Sequence, residues 1–284
     1  NALTTRLARE GSYAQMSQTL GDFLTEQGFG QAFREWYFMP MMACIWSCPT
    51  TQMLQFPVST MVRFCHNHGL LQVTNRPQWW TVRGGARHYV EKIIAGITDK
   101  RLSTPVHRIE SVAPTADGRN GVQLHTETTT ELFDKVIIAT HSDQALRMLA
   151  APSAAERDTL GAIGYQSNKA VLHTDTSVLP QRPSAWAAWN YERGAAGGSD
   201  SESVCLHYLL NRLQPLPWNQ PVIVSLNPVR AIAQSAILGE FDYAHPVFDL
   251  SAVAAQRRMP DLQGSHHRYF AGAWMGYGFH EDGL

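Results

Sequence analysis

Twelve histidines and four cysteines (Cys44, Cys48, Cys65 and Cys205) are the first side chains to test for chemistry. A zinc centre asks for Cys or His pairs at fixed short spacings, or for H-E-x-x-H on a helix. Neither occurs: His66 and His68 are two apart, His266 and His267 are adjacent, and Cys44 and Cys48 are four apart. The sequence therefore assigns no metal ligands. Four thiols in 284 residues make no disulfide framework and read as the reduced cysteines of a cytoplasmic protein. No G-x-S-x-G elbow is present. His141-Ser142-Asp143 reads as helix capping, because three successive side chains point in different directions. Gly28-Phe29-Gly30 comes near a G-x-G-x-x-G turn, but Phe33 stands where the third glycine belongs and a helical pattern runs on either side. The dinucleotide fingerprint needs strand, glycine turn and helix, so that pyrophosphate meets free amides. This one is rejected.

A stronger constellation lies at the carboxyl end, from Tyr269-Phe270-Ala271-Gly272-Ala273-Trp274 through Gly276-Tyr277-Gly278-Phe279-His280 to Glu281-Asp282. A strand ending in Ala-Gly lets the backbone approach a ligand closely, and an acidic pair suits the first turn of a following helix. A flat aromatic ligand with anionic character fits such an end. A tight structural turn is the plainer alternative.

The elements that must position these residues can be read from periodicity. From Trp36 to Val62 there is no charged residue and no His over 27 positions, and five of the nine methionines fall there. Pro40, Pro49 and Pro57 should break it into helical pieces buried in protein rather than a membrane span. Such a Met- and aromatic-rich segment serves either as core or as lining for an apolar substrate. Gly84-Gly85 opens a helix with Ala86, Tyr89, Val90, Ile93, Ile94 and Ile97 on one face. Strands follow at 105–109, 121–125 and 133–140, the first two joined by the Asp-Gly-Arg-Asn-Gly turn at 117–121 and the third apolar enough to be covered on both faces. Ser142 starts a helix, 154–162 forms another, and strands are expected at 169–174, 185–191, 204–210 and 222–226, with a loop at 193–203. A helix at 250–258 leads to a last strand at 268–272. Helices and strands alternate throughout, so the class is α/β or α+β.

Composition removes several functions. The net charge of −1 lacks the footprint of a nucleic-acid binder, and 44% hydrophobic content excludes disorder as a main theme. Nothing supports contact with a membrane surface. The abrupt ends, Asn1 without an initiator Met and Leu284 directly after a Gly- and aromatic-rich stretch, read as those of a piece of a longer protein.

Three strings, Ala139–Leu146 (ATHSDQAL), Gly239–Asp249 (GEFDYAHPVFD) and Gly276–Leu284 (GYGFHEDGL), resemble the flavin-containing amine oxidoreductases. That broad group takes in monoamine oxidases, protoporphyrinogen oxidases and phytoene desaturases, and the nearest look is to bacterial NAD/FAD-binding, amine-oxidase-like proteins. The resemblance implies a two-domain FAD/amine-oxidase architecture with interleaved domains. Residues 1–83 and 150–245 would be the substrate domain, and 84–149 and 246–284 part of the FAD domain.

The resemblance also implies roles. Gly84-Gly85 would be the glycine pair that opens a helix, Val106 the valine whose backbone contacts the FAD adenine, and Ala139-Thr140 the strand end beside the nucleotide. Lys169 would reach flavin N5 through a water. Gly272-Ala273 would be the Ala-Gly strand end, and Gly278-Phe279-His280 the loop along the isoalloxazine, with Trp274, Tyr277 and Phe279 walling the ring. A helix opened by Glu281 would bring positive amides near flavin O2. Two departures stand out. Trp274 occupies the position where many relatives carry an acid, and the G-x-G-x-x-G fingerprint is absent; the resemblance implies that it lies before Asn1 and that the FAD domain is incomplete here.

The activity this implies is an FAD-dependent oxidoreductase removing a hydride from a C–N or C–C bond of an apolar small molecule. The alternatives are a desaturase or isomerase acting on fatty-acyl or isoprenoid chains, and a flavoprotein-derived binding domain without turnover. A serine hydrolase is a third reading that no spacing recommends.

Overall fold

A computed structural model describes residues 6–7, 17–70, 74–75, 77–113, 120–193 and 205–283. The chain folds as two compact units, each assembled from two stretches: Asn1–Thr98 with Tyr165–His245, and Asp99–Gly164 with Pro246–Leu284. The strands, in chain order, are β1 (Arg108–Val112), β2 (Gly121–His125), β3 (Thr130–Phe133), β4 (Val136–Ile138), β5 (Tyr165–His173), β6 (Trp189–Glu192), β7 (Cys205–Leu209), β8 (Ile223–Leu226), β9 (Ile237–Pro246) and β10 (Arg268–Phe270). They form a three-stranded sheet β1-β2-β3, a pair β10-β4 and a five-stranded sheet β6-β7-β8-β5-β9. Among the described residues no helix is long and apolar enough to cross a membrane.

In the first unit the uncharged stretch is helical. Pro49 and Pro57 are the N-caps of helices Thr50–Met53 and Val58–Asn67, where a missing N–H breaks no intrahelical bond. Pro40 corrects the expectation that every proline interrupts. Helix Gln31–Phe33 runs through a π-helical turn, Arg34–Phe38, straight into Met39–Trp46. The wider turn accommodates a ring that would otherwise clash with the carbonyl four residues back. Trp46 is fully buried and packs against Phe56 at 5.7 Å and Phe64 at 4.9 Å between ring centroids. Met42, Met53 and Met61 are buried beside them, so most of the methionine-rich segment is core. Gly84 (φ 81°) and Gly85 (φ 91°) turn the chain into helix Arg87–Ala95, as expected. Its apolar face stays open, with Ile93 66% exposed.

The five-stranded sheet divides its residues by parity. Glu192 opposes Cys205, His207 opposes Ser225, and Ser225 opposes Val171, which puts all of these with Lys169 and His173 on one face. Tyr191, Leu206, Tyr208 and Ala170 share the other. The helices cover this second face: Tyr208 donates to the Cys44 carbonyl at 3.4 Å, and Gln52 to Gln166 at 2.9 Å. On the first face Leu209 and Ile223 pack with Val178 and Leu179 from the loop after β5.

The second unit differs from expectation in three places: β1 runs over Arg108–Val112 rather than 105–109, β3 is additional, and the run 133–140 divides. The run 133–140 is not a single strand covered on both faces. It bends at Asp134, so that Phe133 ends β3 while β4 pairs in parallel with β10 and leaves Ile137 70% exposed. β1 and β2 pair antiparallel as the turn signal predicts, although residues 117–119 of that turn lie outside the described residues. Most of the expected loop at 193–203 lies outside them too. β3 and β9 were not expected at all.

Candidate functional site

In the second unit β4 and β10 run parallel, so their carboxyl ends lie side by side, with the Ala271 amide donating to the Ile138 carbonyl at 3.1 Å. The crevice outside such ends is where open α/β sheets bind ligands. Ala139 and Thr140 leave one strand there, and Gly272, Ala273 and Trp274 leave the other.

Side chains from the neighbouring helices hold this end rigid. Ser153 and Glu156 form a reciprocal capping box at 2.7 and 3.1 Å at the start of helix Ala154–Leu160. The same fully buried Glu156 lies 3.1 Å from Arg268 of β10. Gln263, capping helix Leu250–Leu262, pairs both its amide groups with Phe270 at 2.8 and 2.9 Å, closing the free edge of β10 as a strand would. Gln256 of that helix donates to the Trp274 and Gly276 carbonyls at 2.9 and 2.7 Å and clamps the loop.

The predicted cofactor residues are placed as follows. Gly272 has φ 158°, and a Cβ there would stand 2.4 Å from the Trp274 indole nitrogen. Trp274 is itself 2% exposed and donates to the Thr140 carbonyl at 2.9 Å, so its ring is turned into the unit and ties the two strand ends together. Gly278 (φ 95°) donates to the Ala273 carbonyl at 3.0 Å, and Phe279 and His280 stand at the exposed side of the loop. His280–Gly283 form a 3-10 turn where a helix start was expected, its Asp282 accepting from the Phe279 amide at 3.0 Å. Val106 lines a separate hollow of about 310 Å³ with Arg101, Thr104 and Leu124. Its backbone N–H and C=O take no hydrogen bond from the described residues. Gly84 and Gly85 fall in the first unit.

His141-Ser142-Asp143 caps a helix, as read from sequence, but one residue earlier: His141 is the N-cap of Ser142–Met148, with its amide donating to Gln144 at 3.3 Å.

In the first unit Lys169 is half-exposed, 3.2 Å from Glu240 of β9. A cavity of about 420 Å³ lies on the opposite, helix-covered side, bounded by Phe29, Met39, Leu54, Arg34, Tyr191 and Arg193 among others. Between β6, β7, β8 and β5 the structure also builds a network that periodicity did not reveal. The Asp175 amide donates to His173 Nδ1 at 3.1 Å, and the Ser225 hydroxyl lies 2.7 Å from His173 Nε2 and 2.6 Å from His207 Nδ1. His207 Nε2 meets Glu192 at 2.9 Å, and Arg230 holds Glu192 at 2.6 Å.

Each contact fixes the next. His173 accepts on Nδ1, so Nε2–H donates to Ser225, whose single proton goes to His207 Nδ1, leaving His207 Nε2–H for the carboxylate. Both rings are satisfied in the neutral form. Burial lowers the pKa of each, outweighing the carboxylate beside His207. Burial likewise pushes the Cys205 thiol up to about 11. Glu192, Cys205 and His207 bring donor atoms within 4.8 Å of one another, a metal-sized group that the sequence did not suggest. Arg230 already supplies the positive charge there. Two residues apart on one strand, Cys205 and His207 were bound to share a face, but only the register adds Glu192 and Ser225.

Solved structures share this architecture. A CLA-producing fatty acid isomerase from P. acnes aligns over 99% of this chain and 70% of its own, with a TM-score of 0.61 at 14% identity. A putrescine oxidase bound to putrescine aligns over 99% and 70%, with a TM-score of 0.63 at 12% identity. Cyclohexylamine oxidase from Brevibacterium oxydans IH-35A aligns over 93% and 64%, with a TM-score of 0.57 at 13% identity. The fold is the FAD/amine-oxidase fold. No protein-family model and no curated protein matches the sequence, so the likeness is one of fold. Within the FAD/amine-oxidase fold this chain keeps the mixture of helices and several sheets expected from its sequence.

Proposed function

We propose that the chain is an FAD-dependent oxidoreductase acting on an apolar small molecule, with the second unit as part of the cofactor domain and the first as the substrate domain. The observation that carries this is the pair of parallel strand ends, Ala139-Thr140 beside Gly272-Ala273, held rigid by Glu156, Gln256 and Gln263. The residues present fit one part of such a group. Val106 offers a backbone donor and acceptor that no described residue uses, the pairing an adenine edge takes, and the strand ends offer backbone without bulky side chains. FAD would supply two-electron oxidation, taking up a hydride from a C–H bond while the neighbouring N–H or C–H gives up a proton, so that a C–N or C–C single bond becomes double. The protein would orient the substrate and keep water from the reacting bond.

The 420 Å³ cavity supports an apolar substrate, since Phe29, Met39 and Leu54 offer it an aliphatic and aromatic wall. Lys169 takes no part in lining this cavity. The cavity lies on the other face of the sheet from Lys169, whose ammonium pairs with Glu240 at 3.2 Å and has three donors to share between that carboxylate and a water. The deciding experiment mixes full-length, flavin-loaded protein anaerobically with aliphatic chains and with small polar amines. Bleaching of the flavin by the chains supports the reading. Bleaching by small amines alone, with the chains inert, overturns it.

A further inference from the structure

We infer that the cavity of the first unit takes an aliphatic carboxylate, its head on Arg193 and its chain along Phe29, Met39 and Leu54. The inference rests on this cavity being the substrate's, and it adds the sign of the headgroup, which the fold leaves open.

The argument is one of donors against acceptors. Every polar side chain around the cavity except Glu35 can donate, and the two arginines can only donate. Arg34 and Arg193 carry charge, Thr50 and Thr51 carry hydroxyls, and Tyr191 keeps its phenolic proton because burial raises its pKa. Glu35 is the single carboxylate among the lining residues, and it is engaged: one oxygen accepts from Gln31 at 2.8 Å, the other from Arg193 at 3.3 Å. An ammonium entering here would meet two cations, and the lining's one carboxylate is already paired. The two cations against one anion leave a formal charge of +1 at the lining, which favours a negative head.

The two arginines play different parts. Arg34 spends its donors on the Phe29 carbonyl at 2.8 Å, the Leu24 carbonyl at 2.5 Å and Thr25 at 3.3 Å, which fixes the turn before helix Gln31–Phe33. It lends charge but no free fork. Arg193 makes one contact with Glu35, and its guanidinium lies 5.5 Å from the centre of the Trp36 ring. That cation–π contact and the Glu35 pair locate the guanidinium, and among the described residues no other group takes its N–H donors, which suit a carboxylate. The apolar residues lie in the same cavity, so head and chain have separate walls.

Dodecanoate, dodecylamine and dodecanol, each below its micelle concentration, are titrated into the full-length protein by calorimetry, with the flavin absorption recorded on the same sample. Dodecanoate is expected to bind at least about tenfold more tightly than the other two. Arg193→Gln should remove that advantage while dodecanol binding stays as it was, and Glu35→Gln should tighten dodecanoate by a few-fold. Dodecylamine binding as well as dodecanoate overturns the inference. So does an Arg193→Gln protein that loses dodecanol and dodecanoate alike, or a Glu35→Gln protein that binds dodecanoate more weakly. A colourless protein that still binds dodecanoate through Arg193 contradicts the flavoenzyme reading and leaves this one standing. A flavin-loaded protein that prefers the amine does the reverse.

Discussion

The two faces of the five-stranded sheet are built from alternate residues of the same strands, yet they solve different problems. One face buries a hydrogen-bonded chain from His173 through Ser225 and His207 to Glu192 and Arg230. The other lies under methionine- and aromatic-rich helices and keeps a cavity. The apolar side is held by packing, which tolerates a ligand-sized space at its edge. The polar side is held by a network in which every proton has one place, so it tolerates none. A strand with period two can thus carry a rigid foundation and an adaptable binding wall at once.

The comparison breaks most visibly on the apolar side. Trp46→Ala should destabilise the protein by about 3–5 kcal/mol, the cost of deleting a fully buried indole between Phe56 and Phe64. Urea denaturation checks it, and a loss below about 1 kcal/mol would mean that the helices are not packed as a core. On the polar side Ser225→Ala should cost about 2–4 kcal/mol, because it strands both His207 Nδ1 and the His173 Nε2–H in a buried place. A near-neutral result would show that the two rings do not share that hydroxyl.

The same face predicts a pH dependence. His173 and His207 have pKa values lowered in the folded protein, so the unfolded chain binds more protons than the native one just below the ordinary imidazole value. Their contribution is complete above about pH 6.5 and is lost as pH falls from there through the folded-state values. Denaturation midpoints at pH 7.5, 6.5 and 5.5 should fall in that order, and the slope should shrink in His173→Leu. A flat profile would contradict the neutral assignment. The smallest effect belongs to Lys169→Met. Its ion pair with Glu240 is half-exposed on both sides, and losing it should change stability by less than about 1 kcal/mol.

Local sequence signals carried the fold a long way. The glycine pair before helix Arg87–Ala95, the strands β5, β7 and β8, the capping role of His141-Ser142-Asp143 and the mixed class were all readable from period and turn chemistry. β9 was missed because its exposed, alternating Leu238, Phe241 and Tyr243 carry glycine and acids between them and lack a clean apolar face. Pro40 misled because proline argues for a break, and only the π turn before it lets the helix continue. At the strand ends, Ala271-Gly272 and Ala139-Thr140 were singled out separately, and the β4–β10 pairing sets them side by side. The histidine network was invisible for the opposite reason. Its members come from four strands, and only register, which no single segment encodes, brings them within hydrogen-bonding distance.

The central claim is that the strand ends of the second unit serve a flavin. The visible absorption spectrum of the full-length protein, purified without added cofactor and then saturated with FAD, tests it most directly. A flavin band that stays with the protein through gel filtration and is released on denaturation is the predicted result. A protein that remains colourless after incubation with excess FAD would contradict the account.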